Sequence, residues 1–386
     1  MIEKNEKVAY MKDLLEIRRD IDEVDAKLVA LYEKRMELAE QVAEYKISAG
    51  KQVFDKNREQ EKLDKVSGMV EEPFLKEGVK ELFEQIMSIS RKRQYQLLAE
   101  HGLGMKTDFT QVDRLKDEGA RIVYQGEEGA NSQLAMKAYF GENAKGQHVE
   151  TWRDAMDAIA SGRADYAVLP IENSSAGIVS ENYDLLVEYK NVIVGEQIIK
   201  IDHCLLGLPE AQLTDIKRIY SHPQALMQCG RYLEEHREWE KHSVKNTAVA
   251  AKKVMEDGKI EQAAIASKPN AEIYGLKVLK EEFQNNVNNC TRFVIVTGKK
   301  IFVKDAAKIS ICFEIPHESG SLYRTLSHFI YNNINMNKIE SRPIQKRNWE
   351  YRFFIDIEGN LNDSAVQNAL RGLSEETLNL RILGNY

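Results

Sequence analysis

The chain is poor in the residues that announce metal, redox or membrane chemistry. Of its 386 residues only Cys204, Cys229, Cys290 and Cys312 are cysteine, and no two form a CxxC pair. Single thiols scattered in this way read as reduced and partly buried, as in the cytosol, and not as a disulfide framework. No group of His, Cys and carboxylate residues has metal-ligand spacing, so no metal is expected. The longest apolar runs, such as Tyr166 to Ile171, fall far short of a bilayer. Met1 to Tyr10 is polar and charged and lacks a signal-peptide core. A cytoplasmic protein with no membrane partner is expected. Basic residues are not in excess: 54 Lys and Arg stand against 61 Asp and Glu, a formal charge of −7, which argues against a basic stripe for nucleic acid. There is no internal repeat and no low-complexity tract. The length suits two or three domains.

What is present begins with a misplaced charge. From Leu14 apolar side chains recur at Ile17, Ile21, Val24, Leu28 and Leu31, then at Leu38, Val42 and Tyr45, the 3-4 spacing of a long helix. Position 35 belongs to that stripe and is arginine. An isolated buried charge is prohibitive, so either an anion faces Arg35 or the side chain snorkels at the edge of the stripe. Lys46, eleven residues on, returns to within about 20° of the same face. The helix stops around Gly50. Asp55, Arg58 and Glu59 then fall at i, i+3 and i+4 on one side of a second helix. A third, from about Val79 to Leu98, carries Ser90 and Gln94 beside its apolar positions. Arg18 lies 17 residues before Arg35, roughly 25 Å along the helix, too far for one small molecule to touch both in one subunit. Two copies pairing with their long helices antiparallel bring Arg18 of one to Arg35 of the other, and also cover the stripe.

The ordered set Arg18, Arg35, Lys46, Asp55, Arg58, Glu59, Ser90 and Gln94 makes residues 12 to 98 resemble the AroQ-type chorismate mutases, intertwined all-helical dimers. The resemblance implies an intramolecular rearrangement of a dicarboxylate, which needs no nucleophile, proton transfer or metal, only a held conformer and stabilised charge on the ether oxygen. By this resemblance Arg35 and the partner copy's arginine at position 18 clamp the carboxylates. Lys46 and Gln94 donate to the ether oxygen. Glu59 and the backbone near Asp55 hold the ring hydroxyl, and Arg58 and Ser90 complete the shell. Asp55 has a second reading, as the N-cap of the second helix.

A polar, Gly-containing stretch follows, and the pattern then changes to short strands alternating with helices. Strands are expected at Arg121 to Tyr124, Tyr166 to Pro170, Val192 to Ile199, Cys204 to Leu208, Arg218 to Tyr220, Ala263 to Ala266 and Arg292 to Val296. Helices are expected at about Ser132 to Phe140, Gln224 to Glu235 and Thr247 to Asp257. This is an α/β pattern of largely buried strands in two lobes around a cleft, with ligand at the carboxyl ends of strands. Pro170-Ile171-Glu172-Asn173-Ser174-Ser175, Tyr220-Ser221-His222-Pro223-Gln224 with Gln228, and Asn289-Cys290-Thr291-Arg292-Phe293 make residues 121 to 297 resemble the prephenate dehydratases, with two lobes of periplasmic-binding-protein type. One loop departs from that family: Gly126-Glu127-Glu128-Gly129-Ala130-Asn131-Ser132 lacks the usual hydroxyl and aromatic.

Prephenate loses its ring hydroxyl and ring carboxylate together, and aromatisation compensates the poor leaving group, so no cofactor is implied. The resemblance makes Thr291 the hydrogen-bonding residue at the leaving oxygen, with Asn173, Ser174, Ser221 and Gln228 around it. Glu172 is an acid if burial raises its pKa, or else a structural carboxylate. Arg292 alternates to the opposite strand face and reads as structural, His222 as a turn residue and His203 as a core histidine.

The last residues run strand (Lys308 to Ile315), helix (Ser321 to Asn332), strand (Met336 to Pro343), strand (Tyr351 to Glu358), helix (Asn362 to Leu373), strand (Leu378 to Leu383). This βαββαβ order is a ferredoxin-like split unit. With Gly320-Ser321-Leu322-Tyr323 and Glu340-Ser341-Arg342-Pro343 it resembles the ACT amino-acid-binding modules, the first signature departing from the usual Gly-Ala-Leu-Val. The expected domains are 1–100 (mutase), 101–118 (linker), 119–300 (dehydratase) and 305–386 (ACT). End to end the chain resembles the bifunctional chorismate mutase/prephenate dehydratases, which implies a homodimer or higher oligomer and phenylalanine as effector. Two alternatives stand beside it: an amino-acid sensor or solute-binding protein, and an arogenate dehydratase with a mutase domain kept for dimerisation.

Overall fold

A computed structural model describes residues 13–103, 105–345 and 347–386. The expectations for Met1 to Tyr10 and for the start of the first domain lie outside these residues.

The N-terminal unit is three helices: α1 (Leu14–Ala49), α2 (Lys56–Ser67) and α3 (Pro73–Glu100). Gly50 ends α1 at φ +62°, a left-handed turn that glycine adopts without strain, its N–H returning to the carbonyls of Lys46 and Ile47. Helix α3 opens earlier than its apolar periodicity indicates, because Pro73 sits at its first turn and the Glu72 side chain accepts from Leu75 N–H. Only the C-terminal part of α1 is covered, around the buried Ala43. Its N-terminal apolar stripe faces solvent in the single chain: Ile21 is 52% and Leu28 53% exposed.

The expected linker carries a strand of its own. Thr110–Val112 pairs in parallel with Ile301–Val303, and Phe109 packs against the cores on both sides. Two α/β lobes follow. The first is built on Val192–Lys200, Cys290–Thr297, Tyr166–Asn173, Ile122–Gln125 and Gly146–Val149, in that spatial order. The second is a five-stranded sheet ordered Lys277–Lys280, Cys204–Gly207, Gln262–Ala266, Arg218–Ser221, Glu240–Ser243. Its central strands Cys204–Gly207 and Gln262–Ala266 are buried throughout, as strands covered on both faces are. The helix expected over Gln224 to Glu235 is two short helices, Pro223–Gln228 and Gly230–Glu235. Asn285 enters the break: its N–H donates to Gln228 O, its Nδ2 to Met227 O, and its Oδ1 accepts from Arg231 N–H. Backbone groups freed by the break are satisfied this way, which helix periodicity alone does not reveal.

The C-terminal module has the βαββαβ order, with an antiparallel sheet ordered Met336–Pro343, Tyr351–Glu358, Lys308–Glu314, Leu378–Asn385. The helices Ser321–Tyr331 and Ser364–Glu376 cover one face, where Phe329, Leu370 and Leu373 meet Ile309, Phe313 and Ile355. The module is not a separate appendage. Strand Leu378–Asn385 meets Val192–Lys200 in parallel at Gly384 and Ile193, so its sheet continues that of the first lobe. Its two helices also receive α3 of the N-terminal unit, through Lys92 to Ser327 and Tyr95 to Glu375.

Candidate active sites

The three N-terminal helices enclose a cavity of about 290 Å³ lined by Arg35, Lys46, Glu59, Ser90, Arg91 and Gln94, with Asp55 and Arg58 at its mouth. Arg35 donates from Nη1 to Ser90 Oγ at 2.8 Å, and Ser90 in turn donates to Ile86 O. The Lys46 ammonium donates to Val53 O. Burial lowers the pKa of both Arg35 and Lys46, and Glu59 works against that for each. Partly desolvated cations of this kind are stabilised by an anionic ligand. Gln94 is buried and its Oε1 has no partner among the described residues, an open valence on the cavity wall. Asp55 is the N-cap of α2, its Oδ1 accepting from Arg58 N–H at 3.0 Å. Arg18 is exposed on the far part of α1 and does not line this cavity.

A second cavity, about 350 Å³, opens between the two α/β lobes. Thr291 and Asn173 sit opposite each other on paired strands and both face it, with Phe293 beside Thr291 as an apolar wall. Asn173 Nδ2 donates to Thr291 Oγ1 at 2.9 Å and to Asn289 Oδ1 at 2.9 Å. Its Oδ1 accepts from the N–H groups of Ser175 and Ala176, which fixes the orientation of the amide. From the other lobe come Gln228 and His222, the latter capping the helix Pro223–Gln228 by accepting from Gln224 N–H. His203 Nε2 lies 2.9 Å from Gln228 Oε1, and burial lowers the pKa of His203 and of His222, which favours neutral rings.

A third cavity, about 420 Å³, lies on the C-terminal module between Gly320–Tyr323 and the strand beginning at Tyr351, with Trp349 on its rim.

Residues 17–95 match the family model of chorismate mutase type II, and residues 122–301 that of prephenate dehydratase. The bifunctional chorismate mutase/prephenate dehydratase of Escherichia coli (strain K12) is 34% identical over 380 residues, covering 97% of this chain and 96% of that protein. This chain belongs to the bifunctional chorismate mutase/prephenate dehydratase family. An arogenate dehydratase/prephenate dehydratase 1 of Arabidopsis thaliana is 39% identical over 287 residues, 70% of this chain and 72% of that protein. The prephenate dehydratase of Arthrobacter aurescens, solved in complex with L-Phe, superposes at a TM-score of 0.64 with 30% identity over 69% of this chain and 89% of its own.

Within this bifunctional chain the residues expected for the mutase site, Arg35, Lys46, Asp55, Arg58, Glu59, Ser90 and Gln94, come together in one cavity, and Arg18 alone of that set stands apart. The dehydratase set divides. Thr291, Asn173 and Gln228 line the cleft; Glu172, Ser174 and Ser221 do not. Side chains alternate along a strand, so Glu172 points away from Asn173 and pairs with Lys338 of the C-terminal module at 2.8 Å and with Arg292 at 3.4 Å. It is therefore not placed to act as an acid in the cleft. Ser221 is 0% exposed and donates to Ile265 O at 2.7 Å, tying neighbouring strands together. Ser174 Oγ accepts from Cys290 N–H and braces the segment that carries Thr291. His203 is a buried histidine, as read from sequence, and it lines the cleft as well.

The effector set also divides. Gly320, Ser321 and Leu322 line the third cavity, whereas Glu340, Ser341, Arg342 and Pro343 do not. Their strand is the sheet edge beyond Tyr351–Glu358, and Arg342 reaches across to Asp184 of the first lobe at 2.6 Å. Within one chain the two signatures do not share a pocket. Gln125, Trp152, Lys245, Asn246 and Thr247, outside the expected set, also line the cleft between the lobes. A signal for three of them was available: Lys245 to Thr247 follow the carboxyl end of strand Glu240–Ser243 and open the helix Thr247–Asp257.

Proposed function

We propose that the chain rearranges chorismate to prephenate in the helical cavity and converts prephenate to phenylpyruvate in the cleft between the lobes. The observation that carries this reading is the likeness to bifunctional relatives over 97% of the chain, together with one cavity that gathers the mutase cations. In the first reaction Arg35 holds one carboxylate of the substrate, and Lys46 and Gln94 face the ether oxygen as it gains charge. Arg18 of a second copy supplies the other clamp, and pairing of two copies covers the exposed stripe of α1. In the second reaction the Thr291 hydroxyl donates to the departing ring oxygen. Loss of carbon dioxide and aromatisation drive the step, and no cofactor enters it. The C-terminal module acts as a ferredoxin-like ACT domain, binding phenylalanine at Gly320–Leu322, with the Glu340–Pro343 edge contributed by a neighbouring copy. The two lobes act as a periplasmic-binding-protein-like clamp, in the cytoplasm.

Purified protein given chorismate alone tests the reading: chorismate should disappear and phenylpyruvate appear. Chorismate loss without phenylpyruvate would remove the dehydratase half. The name of the Arabidopsis relative supports a second reading of that half, arogenate as substrate. Parallel assays with prephenate and arogenate separate the two.

A further inference from the structure

The C-terminal module lies beneath the mutase cavity, and its contact there is made by charge. The helix Ser364–Glu376 ends in two consecutive carboxylates, Glu375 and Glu376, both turned toward α3 and the loop before α2. Glu376 Oε1 accepts from Arg91 Nε at 2.9 Å. The same guanidinium donates from Nη1 to both carboxylate oxygens of Glu59, at 2.6 and 2.5 Å, and lies 4.9 Å over the Phe54 ring. Arg91 is only 5% exposed, so these charges interact with little screening by water. His328 Nε2 stands 3.2 Å from the same oxygen of Glu376. His328 fits there because residue 372 is glycine: a Cβ at that position would fall 2.3 Å from His328 Nδ1. Glu375 makes a parallel brace, accepting from Phe54 N–H at 3.0 Å and from the Tyr95 hydroxyl at 2.8 Å. Phe54 follows Val53, whose carbonyl holds Lys46.

We infer that the C-terminal module completes the chorismate site, Glu376 acting through Arg91 as a positioning residue for Glu59. The inference rests on the chorismate reading of the helical cavity. Arg91 sits between two carboxylates, one in the cavity and one in the module, and its location is a balance between them. With the Glu376 charge gone, the guanidinium is left with Glu59 as its one carboxylate partner among the described residues. The guanidinium then shifts away from the module, and the Glu59 carboxylate that it already holds by both oxygens moves with it, out of place as an acceptor for a substrate hydroxyl. That hydroxyl takes no part in bond making or breaking, so ground state and transition state lose the contact alike. Binding weakens while the chemical step keeps its rate.

The test is kinetic and uses the full chain. Glu376→Gln keeps the shape and removes the charge; the KM for chorismate should rise about five- to tenfold with kcat within about twofold, the signature of lost uniform binding. Dehydration of supplied prephenate should keep its parental rate. Glu376→Asp, which keeps the charge and draws it back by one methylene, should move KM in the same direction by less, and serves if Glu376→Gln does not fold. In a Glu59→Gln background either change at 376 should have no further effect on KM, because the residue through which it acts has gone. An unchanged KM in both folded variants overturns the inference, and so does an undiminished rise in the Glu59→Gln background. Failure of the underlying reading looks different: the parental protein would then leave chorismate untouched.

Discussion

The side-chain amide of Asn173 donates to Thr291 Oγ1 at 2.9 Å, and the backbone N–H groups of Ser175 and Ala176 hold that amide so that it cannot turn over. A hydroxyl oxygen that accepts from Asn173 is left with its own proton to donate, and the cleft lies in front of it. Thr291→Val keeps the β-branched shape and removes the donor. Phenylpyruvate formation should fall about a hundredfold or more, the usual effect of losing one donor at developing charge. Chorismate turnover should be unchanged, and Thr291→Ser should recover much of the lost rate. Dehydration at the parental rate in Thr291→Val would make this threonine structural.

Arg35→Ala should abolish chorismate turnover, by about two orders of magnitude or more, while supplied prephenate is still dehydrated. The shared site can be examined by mixing. Arg18→Ala and Arg35→Ala chains, each inactive alone, should regain some mutase activity when refolded together, since one site of the heterodimer keeps both arginines. Confirmed heterodimers without activity would speak against a site built from two chains.

Phenylalanine should inhibit dehydration more than rearrangement of chorismate. A coupling of about 1–3 kcal/mol is usual for such effects, and an effector with equal affinity for both states shifts nothing. Gly320 sits at φ +75° at the start of the helix Ser321–Tyr331, a conformation that side chains resist. Gly320→Ala should raise the phenylalanine concentration needed for half-inhibition and leave the KM for prephenate alone. A parental response in that variant would move the effector site elsewhere.

Where the module joins the first lobe, a Cβ on Gly384 would lie 2.1 Å from Ile193 O. Gly384→Ala must therefore push the two strands apart. Overpacking of this sort costs about 1–3 kcal/mol, and a fall in Tm of roughly 3 °C or more is expected. An unchanged melting curve would show that the strands separate freely.

Lys92 is buried between Ser88, Ser327 and the ring of Tyr331, and burial lowers its pKa from 10.5 to about 8. Its folded value is below its unfolded one. Between pH 8 and 10.5 the unfolded chain thus holds more protons, and stability from this group rises with pH. The penalty is complete below pH 8 and fades above it. Lys92→Met has no such titration. Whatever the difference in Tm between parent and variant at pH 7, it should shift toward the parent as pH goes from 8 to 10. A constant difference over that range would mean that Lys92 titrates normally.

Much of the arrangement was legible because it is local. Arg35 and Lys46 share a helix face by spacing alone, and the structure sets both on one cavity. Strand alternation separates Thr291 from Arg292. The same alternation, applied to the partner strand, separates Asn173 from Glu172, which is why Glu172 meets Arg292 behind the cleft. Ser221 sits in a motif beside cleft residues, yet its hydroxyl serves a neighbouring strand that comes 44 residues later. No local pattern carries that.

The sequence by itself determined the helical stripe with its cations, the strand–helix alternation, the βαββαβ order and the motif around Thr291, since each depends on residues a few positions apart. The tertiary structure decided which chain segments meet. The final helix runs on past Leu373 to Glu376, and those added residues carry the carboxylates that reach α3. Arg91 finds Glu59 32 positions earlier and Glu376 285 positions later, and only the packing of α3 on the C-terminal helices brings the three together. Gly384 falls just past the strand expected over Leu378 to Leu383, and its part in the fold shows only when Ile193 is placed against it. Contacts between distant segments are set by how faces fit and bury charge, and periodicity along the chain holds no record of that.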